Sequence, residues 1–347
     1  MSRWAGALCV AMLMAGTVAA GESAPVGGQA ERIERLCQEM GETQYGRKGA
    51  CEQLIAIGEP AVPALIKTLD DKRPQARWWA VAALCNIGTD EAFPAVVKTL
   101  RKDPNAFVRS TAVYHLRHFR KQGKDIWPVV RQAIEDKSPE VGRWALRLMV
   151  EDGYPQVEQV LRDILADAAP DLQSYALMHV REIAERDGET AGAFLPLVKK
   201  LLKAEDKRLR YDAVHTHVVL MKDGKLAFLR ETYENADSPV EQEAAMRCAT
   251  IMATPPVEII ELFLMGLDSK DEKVREAAAT LLRKGCKQYF GYDARMPLER
   301  RRHHMDQWIQ WYRRNRDKLQ WHPDLRKFLL PGVRDKKPAT ATAPDAP

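Results

Sequence analysis

The side chains best suited to chemistry in this sequence are its eight histidines, because an imidazole can ligate a metal or transfer a proton near neutral pH. His115 and His118 would share one face of a helix, whereas the adjacent His303 and His304 would diverge. Neither pair is accompanied by a third and fourth ligand at the spacing of a zinc or iron site. We therefore predict no metal and no cofactor.

The sequence motifs of common catalytic sites are also missing. There is no Gly-x-Ser-x-Gly nucleophile turn, no phosphate-binding glycine loop and no Cys-x-x-Cys redox motif. We therefore predict a chain without enzymatic activity that acts by binding a partner.

The N-terminus predicts export. Arg3 precedes an apolar stretch from Ala5 to Ala15, and Val18-Ala19-Ala20 forms a small-residue cleavage site. A membrane anchor, the alternative, would need a longer apolar span. Residues 1–20 are expected to be a signal peptide, and the mature chain is expected in the periplasm or outside the cell.

Export would allow disulfides, because those compartments are oxidising. Five cysteines follow Cys9. Cys37 and Cys51 are the best pair, since they would close a short loop and stabilise the fold by about 3 kcal/mol. Cys85 and Cys248 fall on apolar helix faces, where buried free thiols are expected. Free thiols are also the alternative for the first pair.

The elements that position these groups come from an internal repeat. An apolar helix, a short Asp- or Pro-containing turn and a second helix recur along the chain, and each second helix carries an alanine four residues after its first apolar anchor. These alanines are Ala80, Ala112, Ala145, Ala176, Ala213, Ala244 and Ala278. Neither helix can bury its apolar stripe alone, so successive pairs must stack. The spacing predicts an all-α solenoid of about seven helical pairs.

Two of these segments carry a family resemblance. Residues 58–66 and the run from Arg77 to Leu84 resemble the bacterial HEAT-like repeat, also called the phycocyanobilin-lyase-type repeat. The resemblance covers roughly residues 50–285 and implies a right-handed α-solenoid whose second helices line the concave face. It also implies an alternative function, a ligand-holding enzyme or enzyme subunit like the bilin lyases. Three repeats depart from the pattern, because Gly142, Gln173 and Glu241 stand where arginine is usual.

The clearest candidate binding site emerges when the second helices are aligned on their alanines. The residue before each alanine and the residue three after it lie four apart, and therefore on one helix face. Large rings occupy this face or the positions beside it, at Trp79, Tyr114, His115, Trp144, Tyr175, His179 and His215. Amphipathic rings are effective binding anchors, so we predict that another protein or an extended peptide binds here. Packing of the rings between repeats is the alternative.

The C-terminal segment differs in charge. Residues 283–347 contain 16 Lys and Arg against 7 Asp and Glu, whereas the rest of the chain contains 37 and 41. Residues 286–330 are expected to form a basic, Trp-rich helical cap, preceded by the repeats and an N-terminal segment at 21–49. Its basic residues include Arg300, Arg301, Arg302, Arg313 and Arg314.

Two interpretations of this cap are possible from the sequence. It could contact an anionic surface, or its charges could simply face solvent while Trp308 packs inward. Residues 331–347 are expected to be a disordered tail. No nucleic-acid partner is expected, because the basic surplus lies in the cap and an exported chain meets little DNA.

Overall fold

The computed structural model describes residues 26–41 and 44–332, which form eighteen α-helices and one small antiparallel hairpin. The chain divides into two compact units between Leu148 and Met149. The predicted signal peptide and all but the first two residues of the predicted tail lie outside the described residues. Within the described ranges, no helix has both the length and the apolar character needed to cross a membrane.

The first unit is built from successive antiparallel helical pairs. Its helices are α1 (Val26–Glu39), α2 (Gln44–Ile57), α3 (Val62–Thr68), α4 (Pro74–Ile87), α5 (Ala92–Lys102), α6 (Ala106–Lys121), α7 (Trp127–Ala133) and α8 (Pro139–Glu151), the last of which extends past Leu148. Helix α3 packs on α4 and α5 packs on α6. The second helices α4 and α6 then pack on each other, which joins one repeat to the next.

The second unit repeats this arrangement. Its helices are α9 (Val157–Asp167), α10 (Pro170–Arg186), α11 (Gly188–Gly192), α12 (Leu195–Leu201), α13 (Lys207–Leu220), α14 (Lys225–Glu234), α15 (Pro239–Ala249), α16 (Ile259–Leu267), α17 (Glu272–Cys286) and α18 (Leu298–Asn315). Contacts run from α10 to α13, from α13 to α15 and from α15 to α17. Stacked pairs in both units confirm the predicted all-α solenoid class and its seven pairs, α3/α4 to α16/α17.

Local sequence explains where the helices begin and how closely they pack. All seven anchor alanines are buried, because a methyl group lets neighbouring second helices approach each other. The Asn105 side chain accepts hydrogen bonds from the backbone N–H groups of Phe107 and Val108 at 2.9 and 3.2 Å, so it caps α6. Asp271 caps α17 in the same way.

A ladder of buried arginines joins the repeats of the first unit. Arg77, at the start of α4, donates to the turn carbonyl of Asp71 and to the carboxylate of Asp103 in the next turn. Arg109 does the same one repeat later, with the Asp103 carbonyl and the Asp136 carboxylate. Each arginine therefore hydrogen-bonds to a backbone carbonyl of the turn before its helix and forms an ion pair with the aspartate of the following turn.

The second unit replaces this ladder with other contacts, as the departures from the repeat pattern indicated. The side-chain amide of Gln173 donates to the carbonyl of Leu165 at 3.1 Å. Arg210 pairs with Glu241 at 3.0 Å, between α13 and α15. Arg275 donates to the Ala294 carbonyl, which ties α17 to the segment that leads into α18.

The N-terminal segment contains a further helical pair and corrects the predicted disulfide. Cys37 and Cys51 are separate buried thiols in the described chain, because α1 and α2 direct them to different neighbours. The Cys51 thiol donates to the Trp79 carbonyl at 3.8 Å, and the Thr68 side chain hydrogen-bonds Cys37. Burial raises the pKa of both thiols, that of Cys51 to about 12.

The C-terminal cap is only partly helical, which corrects the prediction of a helical segment over 286–330. After α18, the strands β1 (Gln320–His322) and β2 (Lys327–Leu329) pair antiparallel, with Trp321 opposite Phe328. Pro323 cannot continue a helix, and it begins the turn between the two strands. Phe328 and Leu329 are buried.

Candidate functional site

Two groups of rings lie on the second helices of the first unit. In the first group, Trp78 contacts both Trp79 and Phe107, with ring centroids 4.5 and 5.1 Å apart. In the second group, Tyr114 meets Trp144 edge-on at 5.2 Å. Helix α6 joins the groups, because Phe107 and Tyr114 are seven residues apart and so lie on one helix face.

Arginines lie over the rings of the second group. The guanidinium of Arg117 is 4.8 Å from the centroid of Tyr114, and that of Arg147 is 5.2 Å from the centroid of Trp144. A cation over the face of an aromatic ring is attracted by its quadrupole. The stacking holds the planar guanidinium groups beside the rings.

His115 lies at the base of this ring group and is neutral. Burial, followed by the charges of His118 and Arg117, lowers the pKa of His115 to about 3. The His118 ring stacks on it at 5.5 Å, and Tyr114 meets it edge-on. Its Nδ1 atom is buried and has no hydrogen-bond partner among the described residues. His115 therefore supports the surface rings from below rather than forming the contact surface.

We call this surface the aromatic–basic face. It consists of the exposed and half-buried rings and cations on α4, α6 and α8, namely Trp78, Trp79, Phe107, Tyr114, Arg117, His118, Lys121, Arg143, Trp144 and Arg147. Phe107 is 43% exposed, which is unusual for so large an apolar side chain. The arrangement can bury apolar groups of a ligand against the rings.

Sequence reasoning missed Trp78, Phe107 and the stacked arginines of this face. The alignment on alanines examined the residue before each alanine, the residue three after it and the positions beside them, and it considered only rings. A search at spacings of three and seven residues along α6 would have found Phe107 and Arg117, since both spacings lie on the Tyr114 face.

The three remaining predicted ring residues, Tyr175, His179 and His215, belong to the second unit. Tyr175 meets His179 edge-on at 4.9 Å, and His179 Nδ1 lies 2.8 Å from a carboxylate oxygen of Glu182. His215 is half-buried on α13, where burial and the nearby charge of Arg181 lower its pKa to about 4.

Beside His215 lies a polar cluster that sequence reasoning did not identify. Arg181 donates to the Thr216 hydroxyl at 2.8 Å and lies 3.6 Å from a carboxylate oxygen of Asp212. Burial raises the pKa of Asp212, although Arg181 and a hydrogen bond from Ser174 oppose the rise. The groups satisfy one another, so the cluster joins α10 to α13.

The basic cap presents its charges and buries its rings. Trp308 and Tyr312 are buried, and Trp308 meets Phe290 edge-on at 4.9 Å. Four of the arginines predicted as its basic surface are exposed, namely Arg300, Arg302, Arg313 and Arg314. The fifth, Arg301, is half-buried. Tyr312 donates to Glu261 at 2.9 Å, so α18 is anchored on α16.

Across residues 26–41 and 44–332, no group of three or more His, Cys, Asp or Glu side chains is placed to hold a metal ion.

Comparison with known proteins identifies the family. The HEAT-repeat family matches residues 33–117 and 94–180. A phycobilisome maturation protein from Synechococcus elongatus is 32% identical over 142 residues, which are 41% of this chain and 68% of that protein. The chain belongs to this HEAT-repeat family.

Solved structures share the fold of this HEAT-repeat protein. The karyopherin Kap121p bound to the SUMO protease Ulp1p is 11% identical, with a TM-score of 0.51, and the match covers 73% of this chain and 32% of that one. Importin beta is 14% identical, with a TM-score of 0.50, and the match covers 83% of this chain and 44% of its own. At these identities the likeness shows an α-solenoid fold alone.

The comparison corrects one prediction. The sequence analysis predicted a chain without enzymatic activity because catalytic motifs were missing. That prediction was wrong. The relative from Synechococcus elongatus is named for phycobilisome maturation, and this relationship contradicts an assignment that excluded enzymatic activity.

Proposed function

We propose that this HEAT-repeat protein is a maturation factor that binds a client protein on the aromatic–basic face of its first unit. The client is the protein whose assembly or modification the factor promotes. The relationship to a phycobilisome maturation protein supports the maturation function. The ring surface supports binding of a protein, because solenoids present long rigid faces to protein partners.

The observation that carries this proposal is the exposed ring of Phe107. It is in contact with Trp78, which in turn contacts Trp79, and all three rings are exposed or half-buried. A ring that served only to pack one repeat on the next would be buried between helices. Contiguous rings that reach solvent typically mark an interaction surface.

Site-specific photo-crosslinking in the native cell tests the proposal. A benzoylphenylalanine residue replaces Phe107 in one strain and Tyr289 in another. Tyr289 is a matched control, because it is an aromatic side chain that is 66% exposed but lies in the second unit. We expect one client protein to crosslink to position 107 and not to position 289.

The second part of the experiment follows that client in cells that lack the factor. We expect the client to accumulate in an unassembled form or with an altered mass. The proposal is wrong if position 107 gives no crosslink while the chain is folded, or if the client matures equally well without the factor.

A ligand-holding enzyme or enzyme subunit is the second candidate function. It is favoured by the half-buried rings of Tyr114 and Trp144, which meet edge-on at 5.2 Å, and by the buried His115 ring, which supports Tyr114 by an edge-on contact. Such a site would stack a planar ligand. The protein purified from its own cells would then carry a chromophore visible by absorbance, and the chromophore would be lost in His115→Ala but kept in His179→Ala. A colourless protein that gains no absorbance with added planar ligands would argue against this function.

We also propose that residues 1–20 direct export and that the factor acts in the periplasm or outside the cell. Arg3, the apolar stretch and the small residues before Gly21 support this proposal. Cell fractionation with N-terminal sequencing tests it. We expect an exported chain that starts at Gly21, and a cytoplasmic chain that retains its first residues would overturn the proposal.

A further inference from the structure

Helix α18 and the residues just after it expose more cations than carboxylates. From Leu298 to Lys318, the exposed cations are Arg300, Arg302, Arg313, Arg314, Arg316 and Lys318, and the exposed carboxylates are Glu299, Asp306 and Asp317. Arg316 and Asp317 form an ion pair at 3.5 Å, so they offset each other. Arg301 is half-buried and contacts Tyr292, so it does not add to the exposed charge. The remaining exposed cations therefore outnumber Glu299 and Asp306.

The carboxylates of α16 and α17 are paired with other cations. On α16, Glu261 pairs with Arg230. On α17, Glu272 and Glu276 pair with Arg295 at 3.4 and 3.2 Å. These acidic side chains therefore do not supply ion pairs to the exposed arginines of α18.

The exposed arginines of α18 themselves lack counter-charges at contact distance. Among the described residues, no carboxylate oxygen lies within the 4 Å of an ion pair from Arg300, Arg302 or Arg313. Arg314 donates to the side-chain oxygen of Gln310 at 3.5 Å, which is a long contact to a neutral group. These guanidinium groups can therefore pair with anions of a partner.

The four arginines lie on both sides of the exposed face of α18. Arg302 and Arg313 are eleven residues apart, or about three helical turns, so they follow one side. Arg300 and Arg314 are fourteen residues apart, or about four turns, so they follow the other side. The exposed Gln310 lies between the two sides. The arginines therefore frame a surface that extends about 20 Å along the helix axis.

A flat anionic surface fits this arrangement better than an extended polymer does. Long arginine side chains on two sides of a convex helix can reach one common plane. A polymer strand follows one line and would contact one side. Leu298, which is 42% exposed, lies four residues before Arg302 and therefore on the same side of the helix. It offers an apolar group that could enter a lipid layer.

We propose that α18 attaches this protein to a membrane surface that contains anionic lipids. Arg300, Arg302, Arg313 and Arg314 contact lipid phosphate groups, and Leu298 enters the layer beneath the headgroups. The attachment is peripheral and reversible, because most of the binding comes from charges that salt screens. This inference goes beyond the proposed function and does not depend on it, since α18 belongs to the second unit.

Vesicle co-sedimentation tests this inference. The protein is the chain that starts at Gly21, which keeps every described residue and lacks the N-terminal apolar stretch that could enter a bilayer by itself. It is mixed with vesicles of phosphatidylcholine alone, or with vesicles of phosphatidylcholine and phosphatidylglycerol in equal amounts. Each measurement is repeated as NaCl is raised at a fixed lipid concentration.

Two variants each neutralise one side of α18, namely Arg302→Gln/Arg313→Gln and Arg300→Gln/Arg314→Gln. The matched control, Lys98→Gln/Lys102→Gln, removes the same charge from exposed positions of α5 in the first unit. Circular dichroism establishes that all of the proteins are folded.

We expect the chain to bind the anionic vesicles at least about tenfold more tightly than the neutral vesicles, and this preference should fall as NaCl is raised. Each arginine variant should lose about tenfold in affinity, because each cation near an anionic surface contributes to binding, and the α5 control should stay within about twofold. Leu298→Ser should lose about threefold, because it removes the apolar contact.

Four outcomes would overturn the inference. They are equal binding to neutral vesicles, equal loss in the α5 control, a loss in only one of the two arginine variants, and tighter binding of an oligonucleotide or of polyglutamate than of the anionic vesicles. The crosslinking experiment is independent of all four. A client that crosslinks at position 107 leaves the proposed function standing even when α18 binds no vesicle.

Discussion

Arg77 and Asp103 form a two-point ion pair between consecutive repeats, with Nε–Oδ2 and Nη2–Oδ1 distances of 2.7 and 2.9 Å. Both side chains are buried. The backbone carbonyl of Asp103 accepts a hydrogen bond from Arg109 of the next repeat at 2.8 Å. One aspartate turn therefore serves two arginines, through its carboxylate and through its carbonyl, and couples three successive turns.

Removal of this carboxylate should destabilise the first unit strongly. Asp103→Ala leaves the buried Arg77 guanidinium without its counter-charge, which costs about 3 kcal/mol of unfolding free energy. Urea denaturation followed by circular dichroism measures the loss. Glu52→Ala is the control, because its i,i+4 pair with Lys48 is largely exposed and should be worth about 0.5 kcal/mol. Equal small effects from both variants would contradict a structural role for the ladder.

The rings of the C-terminal cap should contribute to stability rather than to binding. Trp308 is 2% exposed and packs on Phe290, so Trp308→Ala should cost the second unit about 3–5 kcal/mol. Arg313→Ala, at an exposed position of the same helix, should change stability by less than about 0.5 kcal/mol. Thermal unfolding of both variants measures the difference. A Trp308→Ala protein with unchanged stability would show that α18 does not depend on this ring.

Stability should fall in mild acid because buried histidines resist protonation in the folded chain. The folded pKa of His115 is lowered to about 3 and that of His215 to about 4, whereas both titrate near 6.5 when unfolded. Below about pH 6.5 the unfolded chain binds protons that the folded chain does not, so unfolding becomes more favourable until the pH reaches the folded pKa.

Denaturant titrations at a series of pH values between 7.5 and 5 measure this dependence. We expect His115→Phe to reduce the pH dependence of the first unit by up to about 1.4 kcal/mol per pH unit. An unchanged slope in this variant would contradict a neutral, buried His115.

All five cysteines after Cys9 should be free thiols that react only after unfolding. Each is buried, and burial raises the pKa of Cys51, Cys248 and Cys286 to about 12, so few thiolates form near neutral pH. Intact mass after alkylation of the chain that starts at Gly21 counts the reactive thiols. We expect no rapid reaction in the folded state and five additions in denaturant without reductant. Three additions would instead show one disulfide, and peptide mapping would then test whether it joins Cys37 and Cys51.

The fold could be predicted from sequence because the same pattern of residues recurs in each repeat. A buried alanine recurs once in each repeat, and prolines occupy the first turns of the first helices α3, α7 and α12. The charge departures at Gly142, Gln173 and Glu241 correctly indicated that the arginine ladder would be interrupted.

Features that depend on the orientation of one side chain could not be predicted in this way. Cys37 and Cys51 are close in sequence, but α1 and α2 turn their thiols towards Thr68 and the Trp79 carbonyl. Phe107 lies in the first turn of α6, in contact with Trp78 and 43% exposed, and the alanine spacing does not specify this exposure. The hairpin had a local signal, the Pro323-Asp324 turn between two aromatic residues, which the expectation of a continuous helical cap overlooked.

The hairpin of β1 and β2 also affects how the second unit unfolds. Trp321 donates to the Ala253 carbonyl at 2.8 Å, and Arg326 donates to the Thr250 carbonyl, so the end of the described chain bonds to the segment just after α15. In a linear array of repeats the terminal repeat normally frays first, since it has one neighbour instead of two. Here α16, α17 and α18 lie between two bonded positions of the chain. The last repeat cannot fray until the hairpin is released, so the end of the array gains cooperativity that nearest-neighbour stacking alone would not provide.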